Sequence, residues 1–333
     1  MTFPSALFVI RWLVRDTFRQ ALANGIFWLM LGVSLICIAV CLTIGTVDVP
    51  PRPSWDTPER IPAEEAKKLP PEKLKDQGVD IIEGQVTLGF GAVRIPWVKY
   101  REDAVRYVQM LLLGLIADTG GVLLALVWTA GFLPTFLEPG SASVLLAKPV
   151  PRWSLLAGKY LGVLVFVAFQ ALVFVAGVWL ALALRTGVWD MTAFLAVPVL
   201  LLHFAVFFSF SVLLAVTTRS TVACVFGSLV FWLVCLGMNL GRHAALLQPE
   251  LQNVSPAFSF LVDAGYWVLP KPADLGTLLV DALQAQGEVV RAINVEGLER
   301  KGAWHPELSV LASVGFAIIL LAIAAREFVT TDY

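Results

Sequence analysis

No phosphate-binding loop occurs in this sequence. Its Gly158-Lys159 pair is followed by Tyr160 rather than Ser or Thr, and no glycine stands at the required earlier spacing. If ATP drives the protein, a separate chain must hydrolyse it. HExxH, paired-cysteine zinc patterns and GxSxG are also missing, so hydrolytic and metal-dependent chemistry has no motif to rest on. Histidine is sparse: His203, His243 and His305 are scattered and read as structural. Cysteine is sparse too, and Cys37, Cys41, Cys224 and Cys235 all lie inside apolar runs, which argues against a disulfide framework. Cys37 and Cys41 stand i, i+4 on one helix face. That is a metal-ligand spacing, but packing of small residues within a helix explains it more simply. Charge is low in amount and balanced in sign. A net charge of −1 gives no support for a nucleic-acid partner. Only 15% of the residues are charged and 58% are hydrophobic, whereas soluble domains average about 25% charged. The solvent for most of this chain is expected to be lipid.

Long apolar runs are what the sequence has instead. Six are long enough to cross a hydrocarbon core of about 30 Å: 25–45, 108–134, 160–184, 193–216, 221–240 and 307–325. The fold class expected is therefore an all-α membrane protein of six transmembrane helices. Residues 1–24 precede the first span as an amphipathic helix. In it Arg11, Arg15 and Arg19 recur every four residues as one polar stripe, suited to lipid headgroups at the interface. Asn24-Gly25 marks a break before the span. A cleaved signal peptide is not expected, because the apolar run is long and no Ala-x-Ala site follows it.

Lysine and arginine in short segments set the orientation. With the N-terminus inside, the inner segments carry Arg11, Arg15, Arg19, Lys148, Arg152, Lys159, Arg219 and Arg326, against Arg185 alone in the short outer turn. Both termini, including the tail at 326–333, are then cytoplasmic. Lys99, Arg101 and Arg106 dissent, but they sit beside Glu102 and Asp103 on a long loop, where the rule weakens. Two extracytoplasmic segments result, 46–107 and 241–306. In the first, a proline-rich spacer precedes a Glu/Lys-rich short helix at 62–77, interrupted at Pro70-Pro71, and 83–98 alternates in part, as a hairpin or a paired strand would. In the second, 256–269 is too short to span and reads as re-entrant or interfacial, and 276–294 as amphipathic.

The cytoplasmic stretch 135–159 organises the rest. Residues 137–147 suit a short helix; Pro149 and Pro151 favour extended backbone between them, and Ser154 starts a new helical run. In order it reads Phe-Leu-Pro, Leu-Glu-x-Gly, Val-Leu-Leu-x-Lys-Pro-Val-x-Arg-Trp, then Gly-Lys-Tyr-Leu-Gly. This resembles the first cytoplasmic loop of ABC-2 type permeases, and among them most resembles the multicopper-enzyme-maturation type. Thr17-Phe18-Arg19-Gln20-Ala21-Leu22 and Ile26-Phe27-Trp28 also resemble that family's leading helix and first span. The resemblance runs through Leu240; beyond it, only the position of the last span contributes. It implies that Glu138, Gly140, Leu145, Leu146, Lys148, Pro149 and Arg152, with Gly158 and Lys159, belong to a coupling helix and its flanks that dock on a separate ABC ATPase subunit. It also implies a second permease subunit, identical or not, a bacterial cytoplasmic membrane, and ATP used only through the partner. The protein itself would hold no cofactor or metal and would be no enzyme.

Ionisable groups inside spans are expensive and often functional. Asp118, Gln170 and His203 lie at similar depth in the second, third and fourth spans and could form one polar layer, either as a packing cluster or as the lining of a substrate path. Asp118 and His203 are expected to pair, directly or through Gln170 or a water. Two other functions fit the same spans. A proton-coupled secondary transporter using Asp118 would show inverted repeats or broken helices, and no convincing repeat is visible. A membrane-anchored partner-binding protein would use the outer segments. The sequence does not name a substrate.

Overall fold

The structure is a computed structural model that describes residues 3–23, 25–47, 84–97, 101–137, 151–248, 256–283 and 295–331. Expectations for the 62–77 helix, for the 137–147 helix beyond Leu137 and for 284–294, the latter part of the expected 276–294 run, lie outside these residues.

Helices α1 (Phe3–Ala23) and α2 (Ile26–Leu42) meet at Gly25, which adopts φ 71°. Glycine takes that left-handed conformation without the steric cost a side chain incurs. The stretches Ile10–Ala23 and Phe27–Leu42 bend by 72°. At about 25 Å for its 17 residues, α2 falls short of the hydrocarbon core by itself. Among the described residues, five helices are long and apolar enough to span, and the bent pair makes up to six. The 25–45 span is thus shorter than expected, because the chain leaves the helix at Thr43 and enters a strand.

That strand, β1 (Gly45–Val47), pairs antiparallel with β2 (Gly84–Leu88), which pairs with β3 (Val93–Trp97). The β2–β3 hairpin lies where alternation suggested it. β1 is too short to carry a period and was not legible. The second long helix is a composite of α3 (Arg101–Met110), a π-helical segment (Leu111–Gly121), α4 (Val122–Thr129) and a final turn, α5 (Phe132–Phe136). Then come α6 (Arg152–Thr186), a 3₁₀ turn (Met191–Leu195) leading into α7 (Ala196–Thr218), and α8 (Thr221–Leu247). The remaining elements are α9 (Pro256–Val268), α10 (Pro272–Ala282), α11 (Val295–Arg300) and α12 (Pro306–Thr330). Helix α6 begins eight residues before the apolar run at 160, because Pro151 is extended and the next residues are good helix formers.

The bundle closes around α7, whose apolar window is 61% buried against 22–44% for the other four long helices. Phe210, Phe231 and Phe316 stack at 4.0 and 5.7 Å and join α7, α8 and α12. Close backbone approach fastens α1 to α6. A methyl on Gly158 would stand 2.6 Å from Leu13 Cδ1, and one on Gly162 2.6 Å from Thr17 Oγ1. Small residues four apart permit this contact in lipid, where packing rather than the hydrophobic effect holds helices together. Leu13, Thr17 and Ala21 face α6 fully buried, and Arg11, Arg15 and Arg19 are exposed on the other side.

Candidate functional site

Among the described residues, three polar centres lie in the apolar bundle away from the basic stretch. In the first, His203 Nδ1 on α7 lies 2.7 Å from Asp118 Oδ1 on the π-helical segment, and both are buried. On the other ring nitrogen, Trp232 Nε1–H donates to His203 Nε2 at 3.5 Å. Indole nitrogen can only donate, so Nε2 accepts and Nδ1–H is the donor to Asp118. Helix α10 presses on this pair: a Cβ at Gly276 would stand 2.9 Å from Asp118 Oδ2. The expected direct pairing is therefore present, but Gln170 does not take part in it. Gln170 faces α2 instead, and its Nε2 donates to Ser34 Oγ at 3.1 Å while Ser34 Oγ donates to Met30 O. The single polar layer is thus two separate contacts. Gln170 shares depth with Asp118 but sits on a face of α6 turned towards α2.

The third centre was not anticipated. Asp274, fully buried in the first turn of α10, accepts four hydrogen bonds. Asn239 Nδ2 and His243 Nε2 from α8 each lie 2.8 Å from Oδ1. Tyr266 O–H from α9 and Ser309 Oγ from α12 reach Oδ2 at 2.9 and 2.6 Å. Asn239 Oδ1 in turn accepts from the backbone N–H of Ala273 and Asp274, capping the start of α10. Burial alone raises the Asp274 carboxyl; the hydrogen bond and charge of His243, with Ser309 and Asn239, outweigh it and hold the group below its ordinary range. Lys271, also fully buried, lies with Nζ 4.7 Å from the Tyr266 ring centroid, and burial pushes its ammonium down. The centre therefore ties four helices at one point. Two signals were available: Asn239 and His243 at i, i+4, and Lys-Pro-Ala-Asp, with proline at the first helical position and acid in the first turn. Instead the amphipathic run was expected to start at 276.

At the opposite end, two cations of the basic stretch are engaged within the chain. Arg152 Nη1 donates to the carbonyls of Val329 and Thr331, each at 3.1 Å, at the C-terminus of α12, a favourable place for a cation. Lys159 is buried, donating to Gln20 Oε1 at 2.7 Å and lying 3.4 Å from Asp16 Oδ2. Its Nζ stands 6.0 and 5.7 Å from the rings of Phe132 and Phe136. Glu138, Gly140, Leu145, Leu146, Lys148 and Pro149 lie outside the described residues. Cys37 and Cys41 gain no further ligands: the described residues hold no group of three that could bind a metal.

Near the hairpin, Arg106 Nε donates to Asp190 Oδ2 at 2.7 Å, and Asp190 Oδ1 accepts from Thr192 N and Oγ1. Burial raises the Asp190 carboxyl, but Arg106 and Thr192 outweigh it and hold it low. A carboxylate depressed in the folded state stabilises above its unfolded pKa, about 4, and that contribution is lost as pH falls through the lower folded value. Arg106→Gln is expected to cost about 1 kcal/mol at pH 7 and to flatten the fall of the thermal midpoint between pH 5 and 3. Parallel pH curves for the two proteins would count against the pair.

Residues 65–332 match the family model described as ABC-2 family transporter protein. The chain belongs to the ABC-2 transporter family. It is a multi-pass permease subunit of an ABC transporter, a transport component rather than a catalytic one. The match is to the family as a whole and does not reach the multicopper-maturation subtype. No curated protein matches the permease.

Proposed function

We propose that this permease is the membrane subunit of an ATP-driven exporter, powered by a separate ABC ATPase that docks on the cytoplasmic stretch 135–159. Two permease subunits form the pathway, in a bacterial cytoplasmic membrane and with both termini inside. ATP is used only by the partner. The observation that carries this reading is the family match over 65–332, which includes the basic stretch between the second and third long helices.

The flanks of that stretch suggest how a push would spread. Helix α5 ends at Phe136, just before 138–150, and α6 starts at Arg152, just after it. Lys159 joins the two, because its ammonium touches Phe132 and Phe136 of α5 and bonds to Asp16 and Gln20 of α1. Displacement of 138–150 by a closing ATPase would therefore load α5, α6 and α1 together. The buried Asp118–His203 pair supports a second reading, proton-coupled transport without nucleotide.

Affinity purification of the tagged permease from its native membrane tests the first reading. A nucleotide-binding subunit is expected to co-purify in near-stoichiometric amount. Transport by the permease alone, driven by a proton gradient, would favour the second.

A further inference from the structure

A cavity of about 470 Å³ lies between α2, the π-helical segment and α4, α6 and α7. Of the three polar centres, only the Ser34–Gln170 contact borders it. Its size is within the roughly 300–1,000 Å³ of small-molecule pockets. The lining is almost wholly apolar, with Phe174, Leu200, Phe204 and Trp128 prominent, and holds no charged side chain. Ser34 and Gln170 are its oxygen-bearing side chains. Gln170 is 5% exposed; its Nε2 is held by Ser34 Oγ, and its Oε1 has no hydrogen-bond partner. The mouth opens sideways: Val33 and Ile116 line the cavity and are also 42% and 46% exposed on the apolar outer faces of their helices. At Gly120, a Cβ would meet nothing within 4 Å.

We propose that this cavity is a ligand site for an uncharged, largely apolar molecule carrying one hydrogen-bond donor, a hydroxyl or an amide N–H, which enters from the bilayer. Each feature of the class has a cause. An apolar wall without a counter-charge excludes ions, since a buried unpaired charge is costly. Water is a poor occupant, because a buried water needs two to four polar partners. Gln170 Oε1 is buried without a partner, and a ligand donor that it meets as the amide turns into the cavity removes its desolvation penalty. Ser34 fixes the amide by taking its N–H, so the carbonyl is the valence left over. The glycine leaves space that a side chain would fill. This goes beyond the permease reading and requires neither the ATPase nor a second subunit.

The test uses the full chain in lipid nanodiscs. The probes are 3-azioctanol, an aliphatic alcohol carrying a photoreactive diazirine, and its hydroxyl-free analogue. Adducts are mapped by mass spectrometry. Saturable labelling of the 116–128 and 167–174 segments by the alcohol is expected, displaced by excess 1-octanol. Gln170→Leu should raise the half-saturating alcohol concentration about tenfold and leave labelling by the hydrocarbon probe unchanged. Gly120→Leu, which fills the space without touching Asp118 or His203, should remove labelling by both probes. Thermal midpoints check that each variant is folded. Non-saturable labelling, no stronger than at the lipid-facing Phe226, would overturn the site. Equal saturation of wild type and Gln170→Leu by the alcohol would overturn the donor requirement. Neither result would bear on whether an ATPase drives the permease.

Discussion

Asp274→Ala is expected to lower the thermal midpoint of the purified permease by about 10 °C, since disruption of a buried hydrogen-bonded charge network costs roughly 3–5 kcal/mol. The carboxylate is the common acceptor for Asn239, His243, Tyr266 and Ser309, which come from three helices. Alanine removes their common acceptor and opens a small void; Tyr266 O–H and Ser309 Oγ, 3.2 Å apart, and Asn239 Nδ2 and His243 Nε2, 3.1 Å apart, can pair only among themselves. It also frees the start of α10, whose backbone N–H groups depend on Asn239 for capping. Asp274→Asn should fall between, because one amide oxygen still accepts while the amide N–H₂ opposes two donors. A wild-type midpoint for the alanine variant, followed by intrinsic tryptophan fluorescence, would show that α10 is held by packing alone. The folded carboxyl is held below its ordinary value, so this stabilisation is present at neutral pH and is lost on acidification through the folded pKa.

The second large effect concerns Asp118 and His203. Asp118→Asn and His203→Gln should each destabilise the permease by about 1–3 kcal/mol, the cost of leaving a buried polar partner unsatisfied. The double variant should cost less than the sum by about 1–3 kcal/mol, as expected for residues in contact. Gly276→Ala gives an independent view of the same point: its methyl would crowd Asp118 Oδ2, so part of its cost should disappear in the Asp118→Asn background. Additive costs in both cycles would mean that the pair, though close, does not couple.

The legible part of the fold follows from what lipid demands of a sequence. Long apolar runs can only be helices there, because every backbone group must be bonded within the segment. The positions of α6, α7, α8 and α12 were therefore readable to within a few residues at most ends. The bend at Gly25 was readable because Asn-Gly interrupts an otherwise helical pattern. The π-helical segment was not: its residues are as apolar as those of an α-helix, and a change of hydrogen-bond register leaves no compositional mark. The Asp118–His203 contact followed from matched depth, since each buried group in lipid needs a partner. Gln170 shows the limit of that argument. Depth along a helix is legible, but the direction it faces depends on which neighbour packs there, and α2 supplied Ser34. The Asp274 centre was missed for a related reason. Its residues come from 239 to 309, and only the fold of α9 and α10 against α8 and α12 brings them together.

On the reading proposed above, this permease draws its energy from a separate ATPase acting through residues 135–159. The most direct measurement is ATP hydrolysis by the co-purified subunit, alone, with the wild-type permease and with Glu138→Lys, in the same nanodiscs. Wild-type permease should change the hydrolysis rate several-fold. Glu138→Lys should abolish that change while the variant still inserts and keeps its thermal midpoint, because a reversed charge in a small contact opposes docking. Hydrolysis unaffected by the wild-type permease, or affected equally by Glu138→Lys, would contradict the coupling assigned to this stretch.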